Sequence, residues 1–253
     1  MTSRSAISFK TRPDPIAHSV ARTHRATDMP LPFRYAHDLR TRFSQLRSAA
    51  LLVDHIDATA NADPAISRLM AIADQRLAGA SEAEFPEIQA WRRAFAAMGL
   101  KPTQYRCASE ALLRRYRKEG ALPALHPLID LCNAASLAHA IPIAVFDADQ
   151  IAGSLAVRFA RGDETYETFA GQTEHPEPGE VIFADDSGRA HARRWTNRQS
   201  GWSAIRPAST RALIVAEALH ETAEQDISCI VSELGEALRT IWPNCTLRKV
   251  DPQ

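Results

Sequence analysis

Apolar residues recur with one period before residue 140 and another after it. Upstream, the spacing is helical. Pro86 to Met98 sets Ile88, Trp91, Phe95 and Met98 on one face, and Gly99 follows as a stop. Ser109 to Lys118 predicts a second, Arg-rich helix that ends at Gly120. His126 to Ala140 predicts a third, with Leu128, Leu131, Ala135 and Ala138 in helical register. Ahead of these, Ser48 to Ile56 is an apolar run of strand length. Asp63-Pro64 reads as an N-cap with Pro at the first helical position, opening a helix to about Leu77.

Downstream, short alternating segments predict strands: Ile141 to Asp147, Ile151 to Ala160, Thr165 to Phe169, Glu180 to Asp185 and Ala190 to Trp195. Asp186-Ser187-Gly188 supplies a hairpin turn between the last two. Ser203 to Arg206 is harder to assign. Arg211 to Leu219 is open: helix by composition, buried strand by its apolar centre. Thr222 to Trp242 predicts an amphipathic helix with Ile227, Ile230, Val231, Leu234, Leu238 and Ile241 on its stripe. Helices, then a compact set of strands, then a helix argue for an α+β fold with a β-rich core and flanking helices. Residues 1–30 have no apolar period and carry Pro13, Pro15 and Pro30. They are expected to be a disordered leader before one domain over 31–253.

Composition removes several classes. The 253 residues are 45% hydrophobic and 24% charged, which fits a globular chain rather than a disordered or fibrous one. Thirty basic and thirty acidic side chains cancel, so an electropositive coat is excluded while a local basic stripe is not. The basic set is 26 Arg against 4 Lys, a skew that suits phosphate and carboxylate clamps but that a GC-rich coding sequence also produces. The four cysteines form no C-x-x-C pair, and no cofactor or metal is implied. No apolar run is long enough to span a membrane, and the basic N-terminus has no apolar signal core, so a cytoplasmic protein is expected. Nothing in the pattern fixes an oligomeric state.

Nucleotide, hydrolase and metalloprotease motifs are missing. His175 and His191 flank strands with no carboxylate or thiol at ligand spacing, which predicts surface histidines. Cys132, inside an apolar helix, reads as an inert buried thiol. Three features remain. Asp130, Asn133 and Ser136 make a polar strip on an apolar helix, either a site or a set of ties to neighbouring loops. Arg158 has the small residues Ala156 and Ala160 beside it on one strand face. It lines a pocket, or it pairs with Glu164 or Asp147. Arg193-Arg194-Trp195-Thr196-Asn197-Arg198-Gln199-Ser200 combines guanidinium groups with an indole. That is a phosphate-and-base grip, or a strand end with one core Trp.

These stretches together resemble the editing (B3/B4) domain of the bacterial phenylalanyl-tRNA synthetase beta subunit, in its free-standing form. The resemblance rests on Leu125-His126-Pro127-Leu128-Ile129-Asp130-x-x-Asn133, Ile141-Pro142-Ile143-Ala144-Val145-Phe146-Asp147 and Val157-Arg158-x-Ala160. It continues through Gly179-Glu180-Val181-Ile182-Phe183-Ala184-Asp185 and Arg193-Arg194-Trp195-x-x-Arg198-Gln199-Ser200, with an upstream match from Gly99 to Leu112. The family-like core covers about 85–220. It implies a pocket for the aminoacylated 3′ end of tRNA and hydrolysis of the mischarged ester in trans. The implied catalytic residues are Asn133 and Arg158. Asp130, Ser136, Asp147, Arg194, Trp195, Asn197, Arg198 and Ser200 would hold the substrate. Arg114, Arg115, Arg194 and Arg198 are candidate phosphate contacts. The sequence departs from the family at Ala144, where the synthetase pattern has His, and carries no acidic residue near Asn197. The alternative implied by that departure is a tRNA or aminoacyl-adenosine binding module without hydrolysis.

Overall fold

A computed structural model describes residues 31–252; the leader expected over residues 1–30 lies outside them. In chain order the strands are β1 (Phe33–Tyr35), β2 (Arg47–Asp54), β3 (Ile143–Asp147), β4 (Leu155–Phe159), β5 (Tyr166–Glu167), β6 (Thr173–Glu174), β7 (Val181–Asp185), β8 (Ala190–Arg193), β9 (Arg198–Gln199), β10 (Arg211–Ala218) and β11 (Thr246–Val250). The α-helices are α1 (His37–Arg42), α2 (Asp63–Gly79), α3 (Pro86–Ala97), α4 (Ala108–Glu119), α5 (Pro127–His139) and α6 (Ala223–Ile241). One sheet has the order β1-β4-β7-β8-β9, with β1 parallel to β4. A second, antiparallel sheet has the order β11-β2-β10-β3, and β5 and β6 form a small ribbon. The fold is α+β, as the segregated periods predict.

Strand parity explains the layering. In β2, Ala50 and Leu52 point into a core shared with the five-stranded sheet. Ala49, Leu51 and Val53 point into a second core formed with α5 and α6. β10 does the same, with Leu213 and Val215 on one side and Ala212, Ile214 and Ala216 on the other. A strand buried on both faces loses its polar alternation, which is why Arg211 to Leu219 is ambiguous by pattern. Pairing along its whole length with β2 on one edge and with β3 on the other settles it as a strand. Between the two sheets lie Phe33, Phe146, Phe183 and Trp195, closed over by Leu39 of α1, by Phe43 at its end and by Trp91 and Phe95 of α3. Trp91 and Trp195 meet edge to face at 5.0 Å. Such a pair adds about 1 kcal/mol beyond its burial.

The structure settles or corrects several expectations. Ser203 to Arg206, hard to assign by pattern, is irregular and turn-like: Ser203 C=O accepts from the Asp147 N–H at 2.9 Å and Arg206 N–H donates to Ser209 Oγ at 3.0 Å. The segment Thr165 to Phe169 keeps only Tyr166–Glu167 as strand. Asp63 lies inside the first turn of α2, and Ala62 holds the cap position. β11 has no apolar alternation because it is a charged edge strand, anchored by the Arg248–Asp54 pair at 2.8 Å.

Candidate functional site

A cavity of about 370 Å³ opens where α4, α5, β3 and the turn between β8 and β9 meet. α5 brings Asn133, and β3 with its approach brings Pro142, Ile143 and Ala144. The turn brings Thr196 and Asn197, and β9 brings Arg198 and Gln199. α4 contributes Ala108, Ala111, Leu112 and Arg115, none of which the sequence singles out except Arg115. Phe146, Phe183 and Trp195 are fully buried, so they back the inner wall rather than open into it. The result is an apolar pit with an amide and guanidinium rim.

The rim is clamped from behind. Asn197 Nδ2 donates to the Arg106 carbonyl at 2.8 Å, and Gln199 Nε2 donates to the Val145 carbonyl at 2.6 Å. Each amide thus gives a donor to scaffold: Gln199 joins the two sheets across the cavity mouth, and Asn197 ties the turn to the loop before α4. Arg198 is held by Glu174 at 3.1 Å and lies over the Tyr166 ring. Asn133 differs: among the described residues its side chain has no hydrogen-bond partner. Thr196 Oγ1 is buried without one. A buried hydroxyl with no partner costs free energy unless a ligand or water completes it.

The turn is strained. Arg194 and Trp195 adopt φ of 47° and 58°, a left-handed pair without glycine. Each such residue costs about 1–2 kcal/mol and needs the surroundings to hold it. Arg194 N–H donates to Glu180 at 2.9 Å, Trp195 N–H to the Val181 carbonyl at 2.7 Å, and Trp195 Nε1 to Glu217 Oε1 at 2.8 Å. Tyr35 donates its hydroxyl to the same Glu217 oxygen at 2.9 Å. Burial pushes the Glu217 carboxyl up to about 7, against the pull of these two donors.

The remaining sequence candidates lie elsewhere. Arg158 is on the face of β4 opposite Leu155 and Val157, so parity turns it away from the inter-sheet core and the cavity. It pairs with Glu164 and donates to the Phe159 carbonyl at 3.1 Å. Asp130 lines a neighbouring cavity of about 340 Å³ with Asp63, Ile66 and Leu122, and accepts from the Leu125 N–H at 3.1 Å. Burial raises its carboxyl above the usual range. Asn133 stands on the wall between the two cavities. Ser136 is buried and donates to the Ile141 carbonyl at 2.7 Å. Asp147 accepts from Ser209 and from the Asp149 N–H. Ser200 is buried and donates to the Glu167 carbonyl at 2.9 Å, and Arg194 lies over the Tyr105 ring. Asn133, Trp195, Asn197 and Arg198 are thus brought together; Arg158, Ser136, Asp147 and Ser200 are not.

His191 is corrected from surface to core. It is fully buried, with Nε2 3.2 Å from Asp185 Oδ2 and Nδ1 2.9 Å from Ser203 Oγ. The carboxylate stands six residues away, across the hairpin between β7 and β8. Burial pushes the Cys132 thiol up to about 12 and the Cys107 thiol up to about 11, so neither is a ready nucleophile. Among the described residues no three His, Cys, Asp or Glu side chains gather to hold a metal ion, and no helix is long and apolar enough to cross a membrane.

Residues 90–229 match the family model described as the B3/4 domain. That is more than half of the chain, and the chain belongs to this family. Over 79 residues it is 35% identical to the phenylalanine–tRNA ligase beta subunit of Bradyrhizobium diazoefficiens, a match covering 31% of this chain and 10% of that protein. An N-terminal fragment of the phenylalanyl-tRNA synthetase beta subunit from Pyrococcus horikoshii aligns over 88% of this chain and 51% of that one, with a TM-score of 0.48 and 8% identity. The match spans about a tenth of the curated relative's length and about half of the solved fragment.

Proposed function

We propose that this protein takes the aminoacylated 3′ end of a tRNA and hydrolyses the ester of mischarged molecules in trans. The observation that supports it most is Asn133. It is an unpartnered amide on the wall of an apolar cavity rimmed by guanidinium groups, inside the span that matches the B3/4 family. The relatives' role as subunits of tRNA ligases supplies the substrate class. In the reaction, water attacks the ester carbonyl carbon, a tetrahedral oxyanion forms, and the bond to the ribose oxygen breaks. The proton lost by water matches the proton gained by the leaving hydroxyl, so alignment and charge stabilisation are what the protein supplies. In this reading Asn133 Nδ2 donates to the oxyanion, or its carbonyl holds the water. The apolar pit receives the non-polar part of the substrate, and Arg115 and Arg198 meet phosphate at the rim.

A second reading, binding without hydrolysis, is favoured by Ala144. It lines the cavity where the resembling pattern has His, and the inner wall carries no group able to move a proton. A deacylation screen over charged and mischarged tRNAs separates the two. Hydrolysis of at least one charged tRNA, reduced about 10²-fold or more in Asn133→Ala with the fold intact, supports the esterase. Tight binding of charged tRNA with no hydrolysis supports the binding module.

A further inference from the structure

A basic groove lies beside the cavity. It has a volume of about 510 Å³ and is lined by Arg114, Arg115, Arg117, Lys118, Glu82 and Glu119. Helical geometry puts the four cations on one broad face of α4, at about 100° per residue, while Leu113 takes the buried face. The carboxylates neutralise only part of this. Buried Glu82 takes one N–H from Arg114 and one from Arg117, and Glu119 takes one from Arg115. Each guanidinium has five N–H donors, so most stay directed outward. The three Arg side chains are about half exposed: 49%, 50% and 52%. In a chain of zero net charge, this is a deliberate local concentration. Arg115 lines both the groove and the cavity, so the two are adjacent.

We infer that the basic face of α4 is a phosphate track that carries an RNA strand to the cavity mouth. From Ala108, at the cavity, to Lys118, at the far end of the groove, the helix runs about 15 Å, room for successive phosphates of one strand. Planar guanidinium forks suit phosphate oxygens, and Glu82 holds two of them in place in advance. The inference deepens the reading above, because it says how the RNA, and not only its last residue, is recognised.

The test uses an uncharged RNA minihelix with a single-stranded 3′ end, so it does not depend on hydrolysis. Binding is measured by fluorescence anisotropy across a salt series for the wild-type protein, for the double variant Arg117→Gln with Lys118→Glu, and for Lys249→Glu. Arg114 keeps Glu82 paired in the double variant, and a melting curve checks its fold. Lys249 lies on β11, away from the groove, and its reversal shifts the net charge by two units against three in the double variant, so it reports on most of the net-charge effect. The expected result is a loss of affinity of about tenfold or more in the double variant only, with the slope of log K against log salt shallower by roughly 1.5. An unchanged affinity in the folded double variant, or an equal loss in Lys249→Glu, overturns the track. If the track holds while no charged tRNA is hydrolysed, the esterase reading fails and the track stands.

Discussion

Two buried carboxylates lie on the two sides of the inter-sheet core, and they are treated in opposite ways. Asp185, at the end of β7, is saturated with donors. Oδ1 accepts from the N–H of Ser187 and Arg189 and from Ser187 Oγ, and Oδ2 accepts from the Ala152 N–H and faces His191 Nε2. Burial alone would raise its carboxyl, but these donors hold it well below the usual carboxylate range. Glu217, in β10 behind the cavity, has two neutral donors on one oxygen, and burial wins. Both side chains have almost no solvent exposure but Glu217 lies deeper, so donor number and depth of burial together set the outcome. A saturated carboxylate is a scaffold. A starved one, beneath a strained turn, holds Trp195 and Tyr35 through a single oxygen.

The largest expected effect breaks the saturated side. Asp185→Ala leaves several buried N–H groups and His191 Nε2 without an acceptor. Urea unfolding should show a loss of about 4 kcal/mol at an unchanged m-value. A loss under about 1 kcal/mol would mean that water replaces the carboxylate, and that donor count is not what separates the two sites.

Next comes the starved side, through pH. The folded-state pKa of Glu217, about 7, lies above its ordinary value of 4.5, so the folded protein binds this proton more tightly than the unfolded chain. Its contribution is fully present below pH 4.5 and is lost as pH rises through 7. Asp185 has the opposite sign, contributing above the ordinary carboxylate range and losing that contribution as pH falls through its lowered folded pKa. Glu217→Gln keeps an acceptor for Trp195 and Tyr35 but cannot ionise. It should flatten the fall in stability between pH 5 and 8 and exceed the wild type at pH 8 by up to about 3 kcal/mol. Identical pH profiles for the two proteins would remove Glu217 from the argument.

Arg158 supplies an intermediate case. Glu164 is buried and accepts from Arg158 and from the N–H groups of Arg161 and Gly162. Arg158→Ala removes the charge but leaves the N–H donors, so the expected cost is about 2 kcal/mol, read as a lower melting temperature with the proposed hydrolysis per folded molecule unchanged. Loss of hydrolysis without loss of stability would return Arg158 to the site.

How much of this was legible follows from what the sequence encodes. Helices α3 to α6 were readable because each buries one face, so the period survives in residues such as Ile88, Trp91 and Phe95. Asn133 was readable as a polar break in the apolar run of α5. The parity of Arg158 was readable in principle, since Leu155 and Val157 mark the core face, but small neighbours on its own face suggested room for a ligand instead. Glu217 and His191 were not readable. One sits in a strand whose two buried faces hide the alternation, and the other finds its carboxylate only across a hairpin. The contribution of α4 to the cavity depends on the packing of α4 against α5, which no local pattern contains.

The smallest expected effect tests the role of the saturated node itself. Asp185, His191 and Ser203 have the residue types of a nucleophilic triad, and their distances of 3.2 and 2.9 Å are within reach of one. Two observations argue that they are scaffold. Ser203 and His191 have no solvent exposure, so no ester carbonyl can approach Ser203 Oγ. Ser203 also fixes the chain elsewhere, its carbonyl accepting from the Asp147 N–H at 2.9 Å. With Nε2–H directed at Asp185, Nδ1 accepts from the Ser203 hydroxyl, and that single neutral hydrogen bond is what Ser203→Ala removes. The expected cost is about 1 kcal/mol in urea unfolding. The proposed hydrolysis should persist, because Asn133 and the cavity are untouched. A folded Ser203→Ala protein that has lost hydrolysis would reverse the comparison and make the saturated carboxylate, rather than the wall above Glu217, the centre of the chemistry.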